Sequence, residues 1–362
     1  MALPYWLRLL CLSLGAGAAV YAATAGAVVG ASPWARRRAE GCAPGAAANW
    51  LFLLRIAPLL CALAAVAALC LPSYLWLEPA GREEVGAGLL LAAATGAGLA
   101  LTGAARVLRA AWTTAGCLRS YRQRGREAGP GLTVVPAPAP SLALAGFFRA
   151  RMLVSERAWE ALSPAQLEAG LAHERAHFRA GDNWRRLLLA ATPLGGKRAG
   201  ELTRAWERFS EWMADDRAVA GNVDRSLTLA AALLAVAKLG PAAPTPAGLS
   251  CLVPEGQALQ AKQAPQAPQA LQAPQAPQAM QAPQAMQAMQ GRAAGSRDAR
   301  VGQRSREFAE RIERLLKPPA GGPEPRPASV AWALGCAAML VALMLQPTTL
   351  MAAHRVLERL TR

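Results

Sequence analysis

Four apolar, helix-compatible stretches of this chain run free of charge for long enough to cross a lipid bilayer, and nothing else restricts its fold as strongly. Leu9 to Ala31 runs for 23 residues, Ile56 to Leu77 for 22, Val85 to Ala105 for 21 and Ala328 to Leu345 for 18. Roughly 20 apolar residues cross the hydrocarbon core as a helix. Of the 362 residues, 53% are apolar and only 17% charged, an unusual balance for a soluble protein. Buried helices of a large soluble core are the lesser alternative. We therefore expect a multi-pass, mainly α membrane protein with three spans followed by a fourth near the C-terminal end.

Loop arginines give an expected orientation. Arg36, Arg37 and Arg38 follow the first stretch, whereas Arg82 follows the second beside Glu78, Glu83 and Glu84. After the third come Arg106, Arg109, Arg119, Arg122, Arg124 and Arg126. Basic loops stay on the cytoplasmic side, so the region from Arg106 to Arg326 is expected in the cytoplasm, beneath a cell inner membrane. The tail with Arg355, Arg359 and Arg362 is then extracytoplasmic, which fits the rule less well. A cleaved signal peptide is disfavoured, because the first stretch exceeds the roughly 7–15 apolar residues such peptides carry.

The net charge of +16 invites a nucleic-acid reading. Much of that excess flanks the spans, where topology and anionic lipid account for it. No zinc-finger spacing or aromatic-interleaved basic stripe is present, so no direct nucleic-acid binding is expected. The seven cysteines form no Cys-x-x-Cys pair, and neither disulfides nor a thiolate-held metal is expected.

Between the third and fourth stretches the pattern is that of a domain of ordinary size. "LTVVPAPAPSLALAGFFRARMLVS" predicts two or three short strands, one of them on an edge. "SPAQ" predicts a helix start at Pro164: Ser163 can cap it and Gln166 can complete a capping box. That helix carries "HERAH". His173 and His177, one turn apart on one face, can direct two imidazole nitrogens at one zinc ion. Glu174 stands beside them as a general base for a water at the metal. With three histidines in the chain, such a motif arises by chance roughly once in a thousand sequences. "SEWMADDRAV" offers Glu211 as a third ligand, and Asp215 four residues on to accept the N–H of a ligand histidine. Two imidazoles and a carboxylate leave one coordination position open, as in a catalytic zinc site.

The remaining segments are read as follows. Leu187 to Gly196 is too short to span and is expected to be buried or to rest on the membrane. Leu202, Trp206, Phe209 and Met213 mark one face of a helix, and "SLTLAAALLAVAKL" another that covers the core. From Gln257 to Gln290 a glutamine recurs every third residue, with no face to bury, which predicts a disordered linker. Phe308, Ile312, Leu315 and Leu316 form the apolar face of a helix stopped by Pro318 and Pro319. It is expected to dock on the domain or lie at the membrane surface. The expected divisions are 1–108 (three spans), 109–240 (zinc domain), 241–300 (Gln/Ala/Pro linker), 301–327 (amphipathic helix and connector), 328–346 (fourth span) and 347–362 (tail).

"LSPAQLEAGLAHERAHFRAGDNWRRLLL", "SEWMADDRAVA" and "EFAERIERLL" ahead of a last span resemble the integral-membrane zinc peptidases of the β-lactam sensor-transducer (antirepressor) family. The likeness covers about 140–240, 308–345 and the three preceding spans. It implies an α+β gluzincin-type protease domain with His173, His177 and Glu211 as zinc ligands and Glu174 as catalytic base. Asp215 and Asp182 match acidic positions of the family motif and are expected to support the ligands. The implied activity is zinc-dependent endoproteolysis of a cytoplasmic or membrane protein, a transcriptional repressor among the candidates. The alternative is a non-catalytic signal transducer whose protease-like domain binds a partner. Sensor members carry a penicillin-binding domain after the last span; here Gln346 to Arg362 follow it, so direct β-lactam sensing is not expected. The aromatic-rich segment before the third ligand is reduced to "LLLAATPLGG", and the Gln-Ala-Pro tract is an addition. No obvious oxyanion donor accompanies the motif: the domain has Tyr121 as its one tyrosine and no further histidine, so an arginine, with Arg217 the candidate, or zinc alone would have to serve.

Overall fold

The first two apolar stretches lie inside longer helices, and the third begins two residues before one. In the computed structural model, which describes residues 2–77, 83–136, 142–147, 151–239, 249–251, 296–317, 346, 348–349, 351–352 and 355, α1 runs over Tyr5–Glu40. At 1.5 Å per residue it is about 54 Å long, well beyond a hydrocarbon core of about 30 Å. Arg36, Arg37 and Arg38 therefore stand on its last turns rather than in a loop. The second helix runs Pro44–Leu77 as α2 (Pro44–Ala65), a π-helical turn (Val66–Cys70) and α3 (Leu71–Leu77). After it, α4 (Ala87–Arg124) carries the basic residues Arg106 to Arg124 as a helical extension. All three are long and apolar enough to cross a membrane. The fourth stretch, 328–345, lies outside the described residues, as does the tract 257–290.

Two compact units form, and neither follows the linear order of the chain: 1–110 with 185–210 and 323–362, and 111–184 with 211–322. In the first, Leu9, Leu12, Cys70, Tyr74, Val85 and Leu89 make an apolar cluster. A short antiparallel pair, β1 (Ala2–Leu3) with β2 (Glu83–Glu84), closes one end. Gly96 is needed where it stands, because a Cβ there would collide with the carbonyl of Leu14; small residues permit such close helix approach. Trp6, Leu91 and Leu101 are each more than two-thirds exposed, an outward apolar face compatible with lipid. Trp34 and Trp50 meet edge to face near helix ends, where aromatic side chains favour the bilayer interface. The segment expected to be buried or membrane-resting joins this unit: Arg55 donates to the Thr192 carbonyl at 3.0 Å, and Phe52 meets Trp206.

The second unit is α+β. Its sheet has the order β3-β4-β6-β5-β7, from Arg126–Gly129, Leu132–Val135, Arg151–Ser155, Leu142–Ala145 and Leu249–Cys251 respectively. Only β4 and β6 are parallel. Period-two alternation buries both faces. Leu142 and Val154 enter the larger core, while Val135, Ala143, Ala145 and Leu153 meet Cys117, Leu118 and Tyr121 of α4. After the first four strands come α5 (Glu156–Ala161), α6 (Pro164–Ala180), α7 (Asp182–Ala191), α8 (Lys197–Val219), α9 (Val223–Lys238) and α10 (Ser296–Leu316); of these, residues 185–210 of α7 and α8 belong to the first unit. The predicted face of α8 is the buried one, with Leu202, Trp206, Phe209 and Met213 all under 5% exposed.

Two expectations about the C-terminal half are corrected. Strand β7 and the first turn of α10 lie inside the 241–300 segment read as linker, and α10 joins the unit that holds the histidine helix. Phe308 and Leu315 of α10 are buried with Leu229, Leu233 and Val236 of α9. Leu316, expected on that apolar face, is 48% exposed; the buried position on that side is Arg311, at 3%.

Candidate metal centre

The start and stop of α6 determine where its histidines sit. Ser163 Oγ accepts from Gln166 N, and Gln166 Oε1 accepts from Ser163 N, a reciprocal capping box with Pro164 at the first position. The helix ends at Gly181, whose φ of 71° lies in the left-handed region that glycine enters without strain. Asp182 then opens α7 directly. Gly170, Leu171, His173, Glu174, Ala176 and His177 form the buried face of α6, so the motif is turned inward.

His173 Nε2 and His177 Nε2 stand 3.0 Å apart. Glu211, on α8, places Oε2 3.5 Å from His173 Nε2 and Oε1 3.5 Å from His177 Nε2. Four ligands at 2.0–2.1 Å around one tetrahedral ion lie about 3.3–3.4 Å from one another, so the two nitrogens and the Glu211 carboxylate stand near the spacing of ligands around a single metal ion. The far side of each ring is also held. His177 Nδ1 is 2.6 Å from Asp182 Oδ2, and His173 Nδ1 is 3.0 Å from Asp215 Oδ1. Each carboxylate accepts an Nδ1–H and so fixes the tautomer that leaves Nε2 as a lone pair. Two lone pairs facing at 3.0 Å repel unless a proton or cation lies between them. The donor set therefore fits a divalent metal on chemistry as well as spacing.

A sixth side chain completes the cluster. Arg311 of α10 donates through Nε to Asp215 Oδ2 and through Nη2 to Asp215 Oδ1, both at 2.6 Å. Its Nη1 lies 3.0 Å from Glu211 Oε2, and Nη2 lies 3.2 Å from both ring nitrogens of His173. Burial alone would raise the Glu211 carboxyl, but the charges on His177 and Arg311 hold it well below the usual carboxylate range. Burial likewise opposes ionisation of Asp215, and the Arg311 guanidinium with the His173 hydrogen bond holds it low. For His177, burial would lower the ring; the Glu211 charge and the Asp182 hydrogen bond outweigh it and push the group up to about 10.

The structure brings together His173, His177, Glu211, Asp182 and Asp215 as the sequence placed them, with Glu174 fully buried on the same helix. It does not bring Arg217. That residue is exposed on α8, two positions past Asp215 and so about 200° around the helix from it. The arginine beside the histidines is Arg311, which the sequence analysis passed over. Its signal was present: Arg311 falls three residues after Phe308 and four before Leu315, a charge in the middle of an apolar stripe. Such a residue has to find a buried partner. Comparison of the chain with protein families, curated proteins and solved structures finds no match. What is established is a chain with three helices able to cross a membrane and a buried His173-His177-Glu211 group able to hold a metal ion.

Proposed function

We propose that the protein is a membrane-embedded, zinc-dependent endopeptidase of the inner membrane, with its site on the cytoplasmic side and a cytoplasmic or membrane protein as substrate. A transcriptional repressor in a signalling pathway is the substrate class the resemblance favours. The observation that carries the reading is the pair of buried Nε2 atoms 3.0 Å apart, each ring tied back by its own carboxylate, with Glu211 facing both.

Zinc bound there would supply Lewis acidity, polarising a peptide carbonyl and acidifying a water. The chain's own residues divide the rest of the work. His173, His177 and Glu211 hold the ion, while Asp182 and Asp215 fix the imidazole tautomers. Glu174 takes the proton of the attacking water and passes it to the leaving amine. Its carboxylate, buried on α6, acts on Arg311 as well. A second reading, a non-catalytic membrane transducer that binds metal and a partner, is favoured by one fact: the guanidinium nearest the histidines is committed to carboxylates rather than free for an oxyanion.

Substrate trapping separates the two. Membranes carrying wild-type protein or Glu174→Gln would be compared by pull-down and by proteomics of cleaved fragments. The expected result is a protein that is cut in the first case and retained intact by the second, with zinc bound equally in both. Proteolysis surviving in Glu174→Gln would remove Glu174 from its assigned role. Zinc binding without any cleaved protein in the wild type would favour the transducer.

A further inference from the structure

Arg311 reaches the metal centre from a helix that lies far along the chain, 96 residues from Asp215 and 138 from His173. Its guanidinium is spent on two carboxylates: both ends of Asp215 at 2.6 Å and Glu211 at 3.0 Å. Asp215 in turn holds His173 Nδ1. One side chain of α10 therefore positions two of the three candidate ligands, Glu211 directly and His173 through Asp215. Asp215 and Glu211 buried without the guanidinium, or Arg311 buried without them, would each leave uncompensated charge, so the cluster forms as a unit.

We propose that Arg311 is a positioning residue and that docking of α10 makes the centre able to retain its metal. The proposal rests on the reading of the histidine pair as a metal site. The docking surface is built apart from the ligands. Ser226 Oγ donates to the Leu315 carbonyl at 2.6 Å, Arg314 pairs with Asp216 at 2.7 Å, and Phe308 and Leu315 enter the core with α9. Any event that lifts α10 removes Arg311 at the same time. Metal retention and α10 docking are then reciprocally linked.

The test uses the full chain purified in detergent, with Zn2+ alone as the probe. Zinc affinity by chelator competition is compared for wild type, Arg311→Met, Arg311→Lys and His173→Ala. Arg311→Met is expected to bind zinc at least tenfold more weakly, the range in which lost supporting contacts fall. Arg311→Lys, which keeps charge but not the fork, should be intermediate. In parallel, hydrogen exchange of 306–316 is followed with and without zinc. In wild type, zinc should slow exchange in α10 as well as α6; in Arg311→Lys the α10 effect should shrink while that in α6 persists. Wild-type affinity in Arg311→Lys, or no zinc effect on α10 in the wild type, would overturn the proposal even if Arg311→Met fails to fold. If instead the wild type binds no zinc and His173→Ala changes nothing, the metal-site reading itself fails, and the proposal with it.

Discussion

Asp182 offers the most discriminating perturbation of the metal centre, because it supports one histidine without being a candidate ligand. Its Oδ2 lies 2.6 Å from His177 Nδ1, and the residue is fully buried. In Asp182→Asn an amide oxygen can still accept the Nδ1–H but brings no charge; in Asp182→Ala nothing accepts it and the ring loses its tautomer preference. Loss of such a support weakens metal binding by about 10–100-fold, or about 1.4–2.7 kcal/mol. The expected order of affinity is wild type, then Asn, then Ala. Because Asp182 also opens α7, where a carboxylate favours the helix start by about 0.3–1 kcal/mol, stability would change without metal too. The assay separates the two effects: thermal midpoints with chelator report the helix, and the further rise with saturating zinc reports the site. At fixed zinc, a tenfold weaker site loses about 1.4 kcal/mol of ligand stabilisation. A zinc-dependent increment unchanged in both variants would refute the assignment of Asp182 as the support of His177.

Acid and alkali should act on the metal-free protein in opposite senses. His177, pushed up to about 10, contributes stability that is fully present below its ordinary value of about 6.5 and lost as pH rises through about 10. Glu211 and Asp215, held low, contribute stability present above the ordinary carboxylate range and lost as pH falls below it. Denaturation midpoints of the chelated protein should therefore peak in mildly acidic buffer, and zinc should abolish the alkaline decline; a flat chelated profile between pH 6.5 and 10 would contradict this. On the expectation from its repeat that 257–290 is a linker, deleting four Gln-x-x triplets should leave zinc affinity unchanged and shift stability by only about 0.3 kcal/mol, the loop-closure change for a linker of that length. A tenfold loss of affinity in that deletion would show that the tract makes contacts of its own.

What could be read from the sequence follows the range of the interactions. Ser163, Pro164 and Gln166 announce α6 within four residues, and the spacing of His173 with His177 and of Glu211 with Asp215 is one helical turn in each case. Those features were legible because a helix converts sequence separation directly into position. Arg311 was not, since the contact that buries it crosses 96 residues and leaves no local mark beyond a charge among apolar neighbours. Arg217 is only two residues from Asp215, but two positions along a helix lead to a different face. Strand β7 was hidden for a related reason: three residues pairing with β5 take their order from the partner strand, and their own run is too short to carry a period.

The turn at Gly181 has a consequence for how this chain can change. A single left-handed residue joins α6 to α7, so His177 and Asp182 meet across five positions with no slack. One inserted residue there would swing the carboxylate by about 100° and break the pair. The arginine comes instead from α10, 96 residues along the chain from Asp215. The centre is thus intolerant of insertion between His177 and Asp182, where a single residue sets its geometry.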